Sequence, residues 1–405
     1  MADTASRRDI DLVDGAFYGG DPHPAYTWMR ENEPVYYDAA HNVWGLASYA
    51  AVLGASRDPS TFSNAGGIRP DAGPIPMMID MDDPEHWKRR KLVNRGFTPR
   101  RVRESEQETR DKCDAIIDLV CERGECDFVG DIAAPLPMVM IGDMLGVAPE
   151  DRNDLLRWSD DMLKSQSGSA TEDQFLAAMN AMMEYTEFCT HAVAQRQDTP
   201  TDDLMSVLVH AEVDGDRLAP DDILHESLLI LIGGDETTRH VISGGMEQLL
   251  LNPDQRRLLI NDPAKIPTAV EEMLRWVTPI KNMCRTVTHD TEFMGQQLLE
   301  GQKCMLLYES ANRDETKFED PFRFDVQRDP NEHVAFGFGA HFCLGQALAR
   351  LELRVMFEQL LIRMPDIELA VDPSELVRRP ANFVSGLEAM PIRFTSSAPL
   401  NRSTL

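Results

Sequence analysis

Positive charge and aromatic residues are scarce in this chain of 405 residues: 40 Lys and Arg face 68 Asp and Glu, for a net charge of −28, and aromatics make up 7%. The deficit of positive charge excludes a general nucleic-acid binder, which must replace counterions, and generic adhesion to anionic lipid. Paired cysteines are lacking as well. The seven cysteines are odd in number and scattered, which suits reduced thiols in a cytosol rather than a disulfide framework. Cys121 and Cys126 stand close together, but no second pair follows at zinc-site spacing. The first twenty residues, MADTASRRDIDLVDGAFYGG, contain no signal-peptide core, and the apolar stretch Leu228–Ile232 is far too short to span a bilayer. A cytoplasmic protein without stable membrane insertion is therefore expected. There is no internal repeat and no long Pro/Gly/Ser linker, so residues 1–405 read as one domain, with flexible ends at about 1–15 and 396–405. What remains is an ordinary globular composition, in a chain long enough to bury a cofactor.

Hydrophobic period predicts a mainly α protein with a minor β part. Val35–Tyr37 and Val43–Leu46 read as a hairpin, and Ser48 caps a helix over Tyr49–Ser56. Asn64–Pro76, rich in Gly and Pro, reads as a loop, and Pro84 starts the next helix. A long amphipathic helix is expected over Arg103–Glu122, with Cys113, Ile116, Ile117, Val120 and Cys121 on one face. Further helices fit Met138–Leu145, Asp151–Leu163 and Thr171–Gln195. Strand-like pieces come late, at Arg285–Val287, Met305–Leu307 and Ile392–Phe394.

Pro220–Leu251 reads as one helix, ended by Pro253. Thirty-two residues at about 1.5 Å each reach roughly 48 Å, enough to cross the molecule. Its middle is Gly233-Gly234-Asp235-Glu236-Thr237-Thr238. Two mid-helix glycines cost on the order of 2 kcal/mol relative to alanine, and a buried acid costs more. Thr237 can bond back to the Gly233 carbonyl and open the helix locally. A small groove beside an acid–alcohol pair suits a small polar ligand fed with protons. Taken alone, the segment is equally well explained by close helix packing at the glycines with Glu236 in a salt bridge.

Phe336-Gly337-Phe338-Gly339-Ala340-His341-Phe342-Cys343-Leu344-Gly345 precedes an apolar-faced helix. Its glycines permit positive φ and close backbone approach. Amides at the following helix start would favour a Cys343 thiolate, and such a thiolate can be the axial ligand of a haem. His341 can donate to a haem propionate.

This loop resembles the haem-thiolate signature of the cytochrome P450 monooxygenases, and Gly233–Thr238 is similar to their oxygen-activation motif. The resemblance implies the P450 fold, with haem b (iron protoporphyrin IX) buried between the long central helix and the cysteine-ligand loop, and O₂ as co-substrate. It implies Cys343 as iron ligand, Glu236 and Thr237 as the catalytic acid and alcohol, and Phe336, His341 and Gly345 at the cofactor. His86 and Arg90, an i,i+4 pair, resemble the family's propionate-binding pair, and Arg285 matches a third propionate partner. Glu272 and Arg275 resemble the structural E-x-x-R pair, with Arg328 as the later arginine that joins it. Gly233 stands where alanine is frequent.

As a whole the chain is similar to the actinobacterial steroid 26/27-hydroxylases acting on cholesterol and cholest-4-en-3-one. The stretches that carry this are FSNAGGIRPD, PMMIDMDDP, LILIGGDETTRH, KNMCR and ANFVSGLE. The resemblance implies hydroxylation of the terminal methyl of the sterol tail, continuing to the acid. A primary C–H bond is the strongest on such a tail, so selectivity must come from positioning. Met77, Met78, Ile79, Gly233, Met283, Phe383 and Val384 are the candidate substrate lining. Alternatives are another apolar substrate (fatty acid, terpene or macrolide) and a non-catalytic haem-thiolate sensor.

One local exception breaks the acidic surplus. Lys88–Arg103 holds eight basic residues and no acid. It is the expected docking patch for an acidic ferredoxin, itself supplied by an NAD(P)H-dependent ferredoxin reductase, with Arg350 and Arg354 as possible extensions.

Overall fold

A computed structural model describes residues 10–165 and 170–401. Helices dominate, and the Pro220–Leu251 helix runs through the middle. Both of its ends are set as the sequence implies: Pro220 occupies the first turn, and Pro253 opens the next helix. Its outer thirds serve different cores. Ile223, Leu228, Ile230 and Leu231 join a cluster with Met78, Ile141, Trp158 and Tyr185. Val241, Ile242, Met246 and Leu249 join another with Ile116, Met273, Leu353 and Phe357. The polar turn Gly233–Thr238 falls at the seam between the two apolar cores.

The β part is small. A five-stranded sheet runs in the order Val35–Asp38, Val43–Leu46, Lys303–Leu307, Asn282–Val287, Phe62–Ser63. Only the Val43–Leu46 and Lys303–Leu307 strands are parallel; Val43 faces Lys303 and Leu46 faces Leu306. Asn282–Val287 pairs antiparallel with Lys303–Leu307, with Arg285 opposite Cys304. A second sheet joins Glu125–Asp127, Pro391–Arg393 and Glu368–Leu369.

The expected hairpin is present, and Ser48 caps Tyr49–Arg57 by accepting from the Ala51 amide. Thr171 forms a capping box for Glu172–Asp198. Three expectations need correction. The single helix expected over Arg103–Glu122 is two, Pro99–Glu104 and Glu106–Asp118. At the break, the Ser105 hydroxyl donates back to the Val102 carbonyl at 2.9 Å, competing with the helical pattern. The predicted apolar face survives, with Cys113, Ile116, Ile117, Val120 and Cys121 all buried.

The second correction concerns the chain ends. Ile10 and Leu12 are buried and Gly15–Gly19 is helical, so residues 10–15 are part of the packed body. At the other end, Asp118 accepts the amides of Leu400 and Asn401. Residues 1–9 and 402–405 lie outside the described residues. The third concerns apolar runs: Phe128–Leu145 is 18 residues long and apolar enough to cross a membrane by length and composition, yet 72% of it is buried inside the protein. Leu136, Ile141 and Leu145 supply core contacts there.

Candidate active site

A cavity opens between the central helix, the Cys343 loop, the Met78–Asp80 turn and the Asn282–Val287 strand. Leu229, Ile230, Gly233, Gly234, Thr237 and Thr238 form its helical wall. The two glycines have separate tasks. A Cβ on Gly233 would meet nothing within 4 Å, whereas one on Gly234 would come 2.5 Å from Ile141 Cδ1. Gly234 is therefore the packing glycine and Gly233 the groove. Thr237 donates its hydroxyl to the Gly233 carbonyl at 2.7 Å, as the spacing predicts.

The acid beside Thr237 faces elsewhere. Glu236 is fully buried and does not border the cavity. It contacts Arg239, accepts from Arg379 at 3.1 Å and lies 3.2 Å from His240 Nε2. Burial raises its carboxyl, but the His240 and Arg239 contacts win and hold it well below the usual range. Asp160, a quarter exposed, approaches Arg239 at 3.4 Å and Arg379 at 3.8 Å, linking the cluster to the surface. The packing and salt-bridge reading of this turn holds on one face; the other carries the groove and the hydroxyl, but the expected acid does not stand beside them.

Gly337 and Gly339 have φ of 69° and 78°, which turns the loop back on itself. The Cys343 amide closes the turn on the Phe336 carbonyl at 2.9 Å. The sulfur faces the cavity and accepts from the Gly345 and Gln346 amides at the start of the Gln346–Arg363 helix. Burial pushes the thiol up; those amides, Arg90 and Arg350 pull against it without overcoming it. A Cβ on Gly345 would meet nothing within 4 Å.

Four nitrogen-bearing side chains share this cavity: His86, Arg90, Arg285 and His341. The His86 and His341 rings stack with centroids 4.0 Å apart. Burial first, then His86, Arg285 and Arg90, hold His341 down at about 2, so its ring is neutral. Phe336 borders the cavity under the Arg350 guanidinium, 4.6 Å from its ring centroid.

Of the candidate substrate lining, Met78, Ile79, Gly233 and Met283 border the cavity. Met77, Phe383 and Val384 do not. Met77 packs in the core beside Met78. Phe383 lies beneath the buried Arg69, with the guanidinium carbon 4.5 Å from its ring centroid. Val384 bridges to Ile280 and so supports a lining residue from behind.

Glu272 and Arg275 are fully buried and bonded twice, at 2.7 Å each, and Arg328 Nε reaches Glu272 at 3.1 Å. The triad ties the Ile266–Val277 helix to the segment that leads into the Cys343 loop.

Comparison with known proteins agrees with this geometry. A family model described as Cytochrome P450 matches residues 266–365. A "Steroid C26-monooxygenase" of Mycobacterium tuberculosis (strain ATCC 25618 / H37Rv) is 58% identical, over 97% of this chain and 98% of that protein. The chain belongs to the cytochrome P450 family. A second "Steroid C26-monooxygenase", from Mycolicibacterium smegmatis, is 55% identical over 99% of this chain and all of that protein. Among solved structures, Mycobacterium marinum cytochrome P450 CYP268A2 in complex with pseudoionone superposes with a TM-score of 0.87 at 34% identity, covering 96% of this chain and 100% of that one.

As a cytochrome P450 the protein uses haem and O₂. The residues fit the haem. His86 Nε2 is buried with no hydrogen-bond partner among the described residues, Arg90 and Arg285 bring positive charge for two carboxylates, and open space lies at Gly233 and Gly345, both of which border the cavity. Two polar lining residues escaped the sequence reading. Tyr308 borders the cavity and bonds to Arg285. Glu352, on the ligand-loop helix, borders it too; burial, with Asp235 adding to it, pushes its carboxyl up to about 8. Its only sequence signal is an acid on an otherwise apolar helix face.

Proposed function

We propose that this cytochrome P450 hydroxylates the terminal methyl of a sterol side chain, such as that of cholesterol or cholest-4-en-3-one, and carries it on toward the acid. The observation that carries the reading is one cavity holding Cys343 at one wall and Thr237 with Gly233 at the other, in a chain 55–59% identical to proteins named for steroid C26 oxidation. The haem, when bound, supplies O₂ activation.

The chain's own residues do the rest. Cys343 would hold the iron, and the Gly345 and Gln346 amides would support the charge of its thiolate. His86, Arg90, Arg285 and His341, which line the same cavity, would hold the two haem carboxylates. Thr237 presents a hydroxyl that can exchange the Gly233 carbonyl for a bound polar ligand. Glu236, turned away from the cavity, anchors Arg239 and Arg379 in a charged cluster behind the Thr237 turn that reaches Asp160 at the surface. Met78, Ile79, Leu229, Ile230, Ile280 and Met283 exclude water and aim the narrow end of the substrate.

Electrons come from an acidic ferredoxin, itself reduced by an NAD(P)H-dependent reductase. The docking patch is narrower than the basic run. Arg89 pairs with Asp222 and Glu226, and Lys91 with Asp214, so both serve inside the chain. Arg100 likewise pairs with Glu104, whereas Lys88, Arg95, Arg101 and Arg103 are exposed, and Arg103 shares a surface groove with Arg350 and Arg354. Residues 1–405 act as one domain in the cytoplasm.

The test is the absorbance of the reduced, CO-bound protein, followed by titration of the ferric form with cholest-4-en-3-one and product analysis. A thiolate-type CO band, a substrate-displacement shift and a product hydroxylated at the terminal methyl are expected. Turnover of fatty acids or terpenes with no sterol response would overturn the substrate assignment. Retained native turnover in Cys343→Ser would overturn the ligand assignment.

A further inference from the structure

Arg89 belongs to the basic run, yet it turns inward. Its NH1 donates to the Pro76 carbonyl at 2.9 Å and to Glu226 Oε1 at 3.2 Å, and its NH2 donates to Asp222 at 2.5 Å. Glu226 Oε1 also accepts the Met78 backbone amide at 2.8 Å. One carboxylate and one guanidinium thus join three segments: the Met78–Asp80 turn, the Glu85–Val93 helix and the first half of the central helix.

Glu226 is fully buried and its second oxygen has no hydrogen-bond partner among the described residues. Burying a charge so incompletely matched is expensive, and an apolar side chain would pack this place at lower cost. The carboxylate does not border the cavity, but what it holds does. Leu229 and Ile230, three and four residues further along the same helix, line it, as do Met78 and Ile79. The bond reaches the backbone of Met78, so it sets the register of the turn whatever the side chains do. On the far side, Asp80 accepts the amides of Ile68 and Ile75, and Asn64 donates to the Ile79 carbonyl.

We propose that Glu226, with Arg89, is a positioning residue for specificity: it clamps Met78 and Ile79 against Leu229 and Ile230 and so decides which carbon of an apolar substrate reaches the reacting centre. This rests on the sterol reading for its substrate, not for its geometry. A clamp on the backbone resists outward motion of the turn, and about 1 Å of slack there would admit internal carbons of the tail.

The test uses the haem-loaded full chain. In Glu226→Leu the acceptor is lost; in Glu226→Gln an amide oxygen remains for Met78 and Arg89. For Glu226→Leu, cholest-4-en-3-one should bind about tenfold more weakly, the loss expected for a hydrogen bond to a charged group. Imidazole, a small haem ligand, should bind as before, and products should shift from the terminal methyl to internal carbons. Glu226→Gln should restore both. Equal loss of sterol and imidazole affinity in both variants, or an unchanged product ratio in Glu226→Leu, overturns the proposal. Hydrogen exchange on the unmutated protein gives a reading that needs no variant: the Met78 amide should exchange far more slowly than those of residues 71–73. Equal rates overturn the clamp. A wild-type protein blind to sterol but with a protected Met78 amide overturns the substrate reading alone.

Discussion

The Thr237 hydroxyl donates to the Gly233 carbonyl at 2.7 Å, across one turn of the central-helix stretch Leu229–Val241 that borders the cavity. The bond ties up a helical carbonyl and leaves the hydroxyl oxygen free to accept from a ligand in the groove. Thr237→Ala should keep the fold and substrate binding while most reducing equivalents are lost to peroxide or water. Product formed per O₂ consumed is the measurement. Tight coupling in the variant would remove the proton-handling role.

The neighbouring glycines should respond in opposite ways. Gly233→Ala meets no protein atom and gains helix propensity of about 1 kcal/mol, so its thermal midpoint should hold or rise while sterol affinity falls. Gly234→Val drives into Ile141 and should destabilise by about 1–3 kcal/mol. Ile141→Ala in the same protein should recover part of that loss. Denaturant melts of the four proteins decide it; equal behaviour of the two glycines would contradict their separate tasks.

Arg275→Leu should be among the most damaging single changes outside the cavity. It strips a fully buried Glu272 of its bidentate partner, for which about 3–5 kcal/mol is expected. Arg328 alone does not replace it. Haem retention after gel filtration, together with the melting midpoint, reads the effect, and a midpoint within a degree or two of wild type would count against the triad as a support.

Glu271 gives the pH dependence a sign. Burial raises its carboxyl, but the bonds from Arg350 and His333 bring it down to about 2. A depressed carboxyl adds stability that is complete above its unfolded value, about 4.3, and is lost as pH falls toward 2. Wild type should therefore lose more stability between pH 4.5 and 2.5 than Glu271→Gln. Parallel losses in urea melts across that window would remove this ion pair from the account.

Charge reversal at Arg95 and Arg103 should slow reduction by ferredoxin at low ionic strength, with the difference closing at high salt. Lys91→Gln, whose charge is already matched by Asp214, should leave the rate unchanged. Stopped-flow reduction under CO measures both, and an equal effect at both places would return the docking patch to the whole basic run.

Local constellations were legible in the sequence. The cysteine loop, the Thr237 bond and the Glu272–Arg275 pair lie within one or a few turns, so residue spacing fixes which side chains can meet. The ends of the central helix were legible for the same reason, since Pro220 and Pro253 act on their own backbone. Ser105 was a local feature too, but its back-bond competes with a strong apolar period and was masked by it.

Facing was not legible. Glu236 and Thr237 are adjacent, so the helical turn of about 100° per residue points them apart, but which of the two faces the cavity was settled by Arg239, Arg379 and His240 gathering around the acid. Phe383 and Arg69, like Arg89 and Glu226, meet across more than a hundred residues, and no local period encodes such a meeting.

By itself the sequence determined the family, the turn of the Cys343 loop and the path of the long helix, because each rests on short-range backbone and spacing rules. Only the tertiary structure decided which glycine packs and which opens the groove, which acid borders the cavity, and which arginines of one basic run are exposed and which pair with acids of the same chain. Those outcomes depend on burial and on partners from distant segments, and a buried charge takes its place only where the fold supplies its match.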